Sequence, residues 1–191
     1  FNILESIRMK AVTNSETEIA SAIRLLSTIL RKSLSTKNEP IPLSQELELV
    51  TNYLELQKFR FEDRFNYTIN VYCPIENQKV LPFITQPIVE NAFRHGIEEK
   101  GTKRSGGYIS VTVTQEEDCL IIRVADNGVG IEEQTLEAIR EKLAASSGEA
   151  PTEHIGIINV HQRMQLVYGA AYGISISSEK DKGTIVTIRL P

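Results

Sequence analysis

Apolar side chains recur at helical spacing through the first third of the chain and change to strand-like alternation from about residue 65. Residues 2–12 put Ile3, Leu4 and Ile7 on one side of a helical segment. Ser15 followed by Glu18 has capping-box spacing, so a second helix is expected from there to about Ser33. Its apolar positions Ile19, Ala22, Ile23, Leu26, Ile29 and Leu30 keep the helical period throughout, and such a stripe needs a partner. Pro40 and Pro42 forbid helix through the connection Thr36–Pro42. Ser44 then caps a helix over Gln45–Arg60, with Leu47, Val50, Tyr53, Leu54 and Leu56 on its apolar side. Two helices joined by a short loop predict an antiparallel hairpin. It packs on its own domain or forms part of a dimerisation bundle, and the width of the stripes favours the bundle.

From Phe65 the period changes. Tyr67–Tyr72 reads as a strand, and Gln86–Glu98 as a helix with Pro87 in its first turn. Lys100–Gly107 is a basic, glycine-rich loop. Tyr108–Thr114 and Cys119–Ala125 are rich in β-branched residues and read as paired strands. A helix over Glu132–Leu143, a small polar loop over Ala144–Glu153 and a helix from Gly156 to about Tyr168 follow. Strands at Gly173–Ser178 and Thr184–Leu190 close the chain. The expected class is α+β: a helical hairpin over 1–60, then a domain over 61–191 whose mixed, mostly antiparallel sheet carries helices on one face.

Composition narrows the function classes. The 191 residues are 41% hydrophobic and 24% charged with a formal net charge of −4, an ordinary globular balance without the basic stripe that nucleic acid requires. The two cysteines, Cys73 and Cys119, form neither a disulfide framework nor a zinc motif, and free thiols in apolar surroundings are expected. No apolar run approaches the roughly 18 residues that span a bilayer. The chain starts at Phe1 rather than Met, so it reads as a piece of something longer, in which a membrane anchor could lie upstream.

Candidate chemistry sits first on the helix that begins at Gln86. Ile88, Val89, Ala92 and Phe93 fall on one arc, while Asn91, Arg94, His95 and Glu98 stand at i, i+3, i+4 and i+7 on another. An amide oxygen, a cation and an imidazole on one stripe suit a metal-bound polyphosphate. Asp126-Asn127-Gly128-Val129-Gly130 leaves a strand with a carboxylate able to accept from an exocyclic amine, followed by two glycines that allow close backbone approach. A plain hairpin turn would look the same in isolation. Gly156 precedes a helix whose free N–H groups suit phosphate, and Lys182-Gly183-Thr184 could bring a hydroxyl near a base. His161 reads as a surface or packing residue.

In order, Asn91-Ala92-x-Arg94-His95, Asp126-x-Gly128-x-Gly130, Gly156 with Asn159, and Gly183-Thr184 resemble the nucleotide-binding elements of the GHKL ATPase superfamily. Tyr53-Leu54-Glu55-Leu56-Gln57-x-x-Arg60-Phe61, Gln86-Pro87-x-Val89-Glu90-Asn91-Ala92-x-Arg94-His95-Gly96 and Asn159-Val160-x-x-Arg163-Met164-x-x-x-Tyr168-Gly169 are similar to the LytS/YehU type of sensor histidine kinase. The resemblance implies a Bergerat-type two-layer α/β sandwich after a partial dimerisation hairpin, binding ATP and Mg²⁺. It implies Asn91 at Mg²⁺, Arg94 and His95 at phosphates, Asp126 at the adenine amine, and Gly128, Gly130, Gly156 and Thr184 in the nucleotide cradle. Glu90 becomes a candidate for polarising an attacking imidazole or water. Phe1-Asn2 resembles the end of the family's Pro-His-Phe-x-Phe-Asn, which puts the phosphoacceptor three residues before Phe1. The implied partners are a second copy and a response regulator, and the implied place is the cytoplasmic side of a membrane-anchored sensor.

One departure stands out. The family's lid element Gly-x-Gly-Leu has His154 at its first glycine and Ile157 at its leucine. An imidazole there could stiffen the lid or touch phosphate itself. A degenerate nucleotide-binding module without kinase chemistry and a GHKL serine kinase of the anti-sigma type remain the rival readings.

Overall fold

The computed structural model describes residues 2–35, 39–99, 106–145 and 155–191. Phe1, His154 and most of the two expected loops, 100–105 and 146–153, lie outside the described residues. Helices α1 (Asn2–Thr13) and α2 (Thr17–Ser35) come first. The turn between them corrects the capping-box reading. Ser15 lies in the left-handed region at φ 60°, its N–H donates to Val12 O, and the Glu16 N–H donates to Ala11 O at 2.8 Å. Ser15 therefore closes α1 instead of opening α2.

Helix α3 spans Leu43–Phe61, starting before the expected Ser44 cap. Pro42 precedes it without a side-chain cap, and the Leu43 N–H is satisfied by Gln78 O at 2.8 Å. This follows from a short ladder that periodicity does not reveal: β1 (Ile41–Pro42) pairs antiparallel with β3 (Lys79–Val80). Two-residue strands leave no alternation to read.

The main sheet contains β2 (Phe65–Val71), β4 (Gly107–Glu116), β5 (Cys119–Asp126), β6 (Gly173–Glu179) and β7 (Gly183–Leu190) in the order β2-β4-β5-β7-β6. Only β2 and β4 run parallel; the other pairs are antiparallel, as the α+β reading expects. Inward residues Ile109, Val111 and Val113 of β4, Ile122 and Val124 of β5 and Val186 and Ile188 of β7 are buried. Helices α4 (Gln86–Asn91), α5 (Glu133–Ala144) and α6 (Ile155–Tyr168) supply Ile88, Val89, Leu136, Ile139, Val160 and Met164 to the same core. The fold is a two-layer α/β sandwich with an N-terminal helical segment.

The sequence reading divides the chain at 60/61, but the buried core crosses that point. Leu43, Leu47, Val50, Leu54 and Phe61 of α3 belong to the apolar cluster that covers the sheet. Phe93, 1% exposed, meets Phe61 edge-on at 5.1 Å, Phe65 at 4.9 Å and Tyr53 at 6.3 Å between ring centroids. By contrast α1 and α2 leave Ile3, Ile7, Ile19, Leu26 and Leu30 exposed, Ile3 at 76%. Of the two helices expected to form one hairpin, α3 is packed on the sheet and α2 keeps much of its stripe in solvent.

His161 is a packing residue. It is buried, its Nδ1 accepts the Ile174 N–H at 2.9 Å, and burial lowers its pKa toward the neutral ring that such an acceptor requires. Cys119 is buried and Cys73 half-buried, both as free thiols. Among the described residues no helix is long and apolar enough to cross a membrane.

Candidate functional site

The stretch that starts at Gln86 does not remain an α-helix. After Asn91 it continues as a π-helix over Ala92–Glu98. Bonding five residues back widens the turn, so each residue advances less around the axis than in an α-helix. Asn91 and His95 therefore stay on one side, while Arg94 and Glu98 swing away. The single polar stripe drawn at α-helical spacing becomes two.

Asn91 and His95 line an open pocket of about 480 Å³, solvent at its mouth included. Asp126, Gly130 and Thr184 line it as well, so five of the expected site residues share one cavity. Its remaining walls are mainly apolar: Ile88, Ala92, Val124, Ile131, Ile157, Ile176 and Val186. Ile88 and Ala92, expected only to pack, also face this space. Apolar walls with a few placed polar groups are what a flat heteroaromatic ligand needs.

Glu90 and Arg94 lie elsewhere. They line a second groove with Leu26 of α2 and Tyr53, Gln57 and Arg60 of α3, and Asn91 borders both spaces. Glu90 accepts a hydrogen bond from Gln86 Nε2 at 2.7 Å, and Arg60 pairs with Glu98 at 3.0 Å. The Tyr53 hydroxyl in this groove has its pKa raised, by burial first and then by Glu90 and Glu98.

Register sets the far end of the pocket. β5 and β7 pair Asp126 with Thr184. Asp126 Oδ1 accepts the Gly128 N–H at 2.8 Å. The Ser178 hydroxyl donates to Gly183 O at 2.8 Å and lies 2.9 Å from Thr184 Oγ1, and it accepts the Ile131 N–H at 2.9 Å. A hydroxyl has one proton, so with Ser178 donating to Gly183 the Thr184 hydroxyl donates to Ser178. Thr184 then offers acceptor lone pairs, not a donor, for any further contact.

The glycines make close approaches within the protein itself. A Cβ on Gly128 would come within 2.3 Å of Gly96 backbone atoms, and one on Gly96 within 2.6 Å of Asp126 Oδ1. The Val129 N–H donates to Gly96 O at 3.1 Å. Gly130, at φ +68°, would drive a Cβ to 2.1 Å from Glu179 O, and Gly183, at φ +113°, to 2.0 Å from Asp126 O. Their close approach is to the protein's own backbone, which seats the π-helix against the β5 turn. Gly128 is buried beneath that contact and does not line the pocket. Gly156 lies in the first turn of α6, where a Cβ would stand 3.6 Å from Asn91 Nδ2. Asn159 is exposed. Gly96 stands in the quoted motif without an assigned role, and Ser178 stands in none. A glycine inside a helical stretch was the available signal for Gly96; nothing local marks Ser178.

Asn91 has one further property. Its Nδ2 is buried without a hydrogen-bond partner, which is costly unless something else satisfies it. Turned over, the same amide presents Oδ1 at that place. The donor set fits Mg²⁺ brought in on a phosphate, where one protein oxygen suffices beside phosphate and water oxygens. Among the described residues no group of three His, Cys, Asp or Glu side chains could hold a metal on its own.

Comparison with known proteins places the chain in a family. Residues 76–191 match the model for histidine kinase-, DNA gyrase B- and HSP90-like ATPases. The chain belongs to this ATPase family. Residues 1–65 match the histidine kinase model, so the family's ATPase unit follows a histidine kinase segment. Over its full 191 residues the chain is 29% identical to the sensor histidine kinase YesM of Bacillus subtilis and 27% identical to the sensor protein kinase HptS of Staphylococcus aureus. It covers 31% and 35% of those proteins, about a third of their length. The catalytic domain of the histidine kinase ThkA superposes with a TM-score of 0.57 at 15% identity, over 82% of this chain and 97% of that one. The histidine kinase domain of Erythrobacter litoralis EL346 does so at 0.51 and 17%, over 99% and 83%. Together these matches relate the chain to sensor histidine kinases and give it the ATPase fold.

Proposed function

We propose that this chain is the ATP-binding core of a two-component sensor kinase, which transfers the γ-phosphoryl group of ATP to a histidine upstream of Phe1. A response regulator aspartate then receives the group. The observation that carries the reading is the orphaned Asn91 amide in the same pocket as Asp126. One end has a polar atom without a partner, and the other a carboxylate among apolar walls.

Asp126 accepts from the adenine amine, and a ketone at that position would set one acceptor against another, which disfavours guanine. Thr184 contributes a second acceptor, while Ile88, Ile131 and Ile176 exclude water around the base. Asn91 meets the phosphate-borne Mg²⁺. That ion, when bound, neutralises charge on the phosphate oxygens. His95, oriented by its Nδ1 contact with Glu99 at 3.0 Å, holds a phosphate from the pocket side. Arg94 takes the outermost phosphate from the groove side, since Asn91 borders both spaces. Glu90 in that groove polarises the incoming imidazole. Gly128 and Gly130 hold the turn that aims Asp126, and Gly156 leaves room beside Asn91 for phosphate. The exposed apolar residues of α1 and α2 suit a homodimeric bundle.

The test is a chain extended upstream through the histidine and incubated with labelled Mg-ATP. ATP-dependent label that is lost in acid is expected. Acid-stable label would point to a serine kinase, binding without label to a signalling module, and absence of binding would overturn the reading.

A further inference from the structure

Between β3 and α4 the chain crosses a strap, Leu81–Thr85, that side chains from two other helices hold by its backbone. From α3, the Glu46 carboxylate accepts the N–H groups of Phe83 at 2.9 Å, Ile84 at 2.9 Å and Thr85 at 2.8 Å, with that of Gln86 at 3.5 Å. From α6, Arg163 Nη2 donates to Pro82 O and to Phe83 O, the latter at 3.0 Å, and the Tyr168 hydroxyl oxygen accepts the Leu81 N–H at 2.8 Å. Phe83 is held at φ +57°, a region that a bulky side chain rarely adopts.

Glu46 is 0% exposed and makes no ion pair among the described residues. An apolar residue would fill the same space without the desolvation cost of a carboxylate, so simple packing does not account for it. Helix α4 supplies the reason. Thr85 at the cap position makes no side-chain cap bond, Pro87 has no N–H and the Ile88 N–H goes to Thr85 O at 3.1 Å, so the N–H groups of Thr85 and Gln86 are left to Glu46. The carboxylate of α3 does that work from outside, with its charge at the positive end of the helix dipole. The Phe93 ring, on the π-helical continuation of α4, packs edge-on against Tyr53 and Phe61 of α3 and ties the two segments together again further along.

We infer that Glu46 is a positioning residue: it sets the placement of α4 against α3, and with it that of Asn91 and His95 in the pocket. Arg163 and Tyr168 attach α6 to the same strap, and α6 carries Ile157 on the pocket wall and Gly156 beside Asn91. A displacement of α3 therefore reaches the pocket through its backbone frame. Only the affinity effect rests on the nucleotide reading; the mechanical claim does not.

The experiment compares the wild-type chain with Glu46→Gln and Glu46→Asp. In the first variant the side-chain amide would turn an NH₂ toward one of the N–H donors, and in the second the shorter carboxylate would fall a methylene short of them. Without ligand, amide exchange over residues 88–93 is expected to accelerate about tenfold or more relative to Val111 and Ile122 in the sheet. Mg-ATP affinity, measured by calorimetry, is expected to fall about tenfold. Equal acceleration in α4 and sheet, unchanged exchange in α4, or failure of both variants to fold would overturn the inference, because positioning requires a folded chain with a loosened α4. If the wild type does not bind Mg-ATP, the proposed function fails while the exchange comparison still decides the role of Glu46.

Discussion

The two ends of the pocket are built on opposite principles. At the Asp126 end the described groups have partners within the protein: Asp126 holds the Gly128 N–H, and Ser178 joins Gly183, Thr184 and Ile131. Gly128, Gly130 and Gly183 are packed against backbone that a methyl group would strike. At the α4 end a buried amide nitrogen of Asn91 has no partner, and the helix bearing it changes from α to π within the site. The first end is formed before any ligand arrives, so it can discriminate rigidly. The second leaves hydrogen-bonding capacity unused, which a bound phosphate and its ion would take up.

The strongest way to break the contrast is to disturb the preformed end. Gly183→Ala puts a Cβ 2.0 Å from Asp126 O at φ +113°. It should cost roughly 3 kcal/mol of stability from strain and overpacking together, read as a lower urea midpoint. A midpoint within error of wild type would mean that this end is not rigid. Asp126→Asn should leave the urea midpoint nearly unchanged and lower Mg-ATP affinity about tenfold or more, with much less effect on Mg-GTP, by calorimetry. Equal losses for both nucleotides would remove the base from that end. Asn91→Ala sharpens the other side. Because the Asn91 Nδ2 is already unsatisfied, its removal should change unliganded stability by less than about 1 kcal/mol while Mg-ATP affinity is lost. A large loss of stability without ligand would show that the amide has a structural partner after all.

How much of this could be read from the chain depended on the range of the interaction. The β-branched runs at Tyr108–Thr114 and Cys119–Ala125 mark strands because branched side chains fit a pleated sheet, and β4 and β5 extend those segments by only a few residues. The Asn91, Asp126 and Thr184 motifs were visible because each is a local cluster of unusual residues. The π-helix was not, since its composition is that of an α-helix, and it is the π turn that separates Arg94 from His95. Ser15 misled because its spacing to Glu18 is right for a cap, while the left-handed turn that ends α1 leaves no mark in the pattern. Glu46 stands in the first turn of α3, where an acid is ordinary, and its four backbone partners lie 37 to 40 residues away.

By itself the sequence determined the order of the longer helices and of the main-sheet strands, the antiparallel bias of that sheet and the residue types that can meet a nucleotide, because all of these follow from local periodicity and side-chain chemistry. Tertiary structure alone decided that α3 joins the core, that Glu90 and Arg94 face a different space from Asn91 and His95, and that a buried carboxylate caps α4 from another helix. Each of these is settled by contacts between residues distant along the chain, where the energy of burial outweighs local preference.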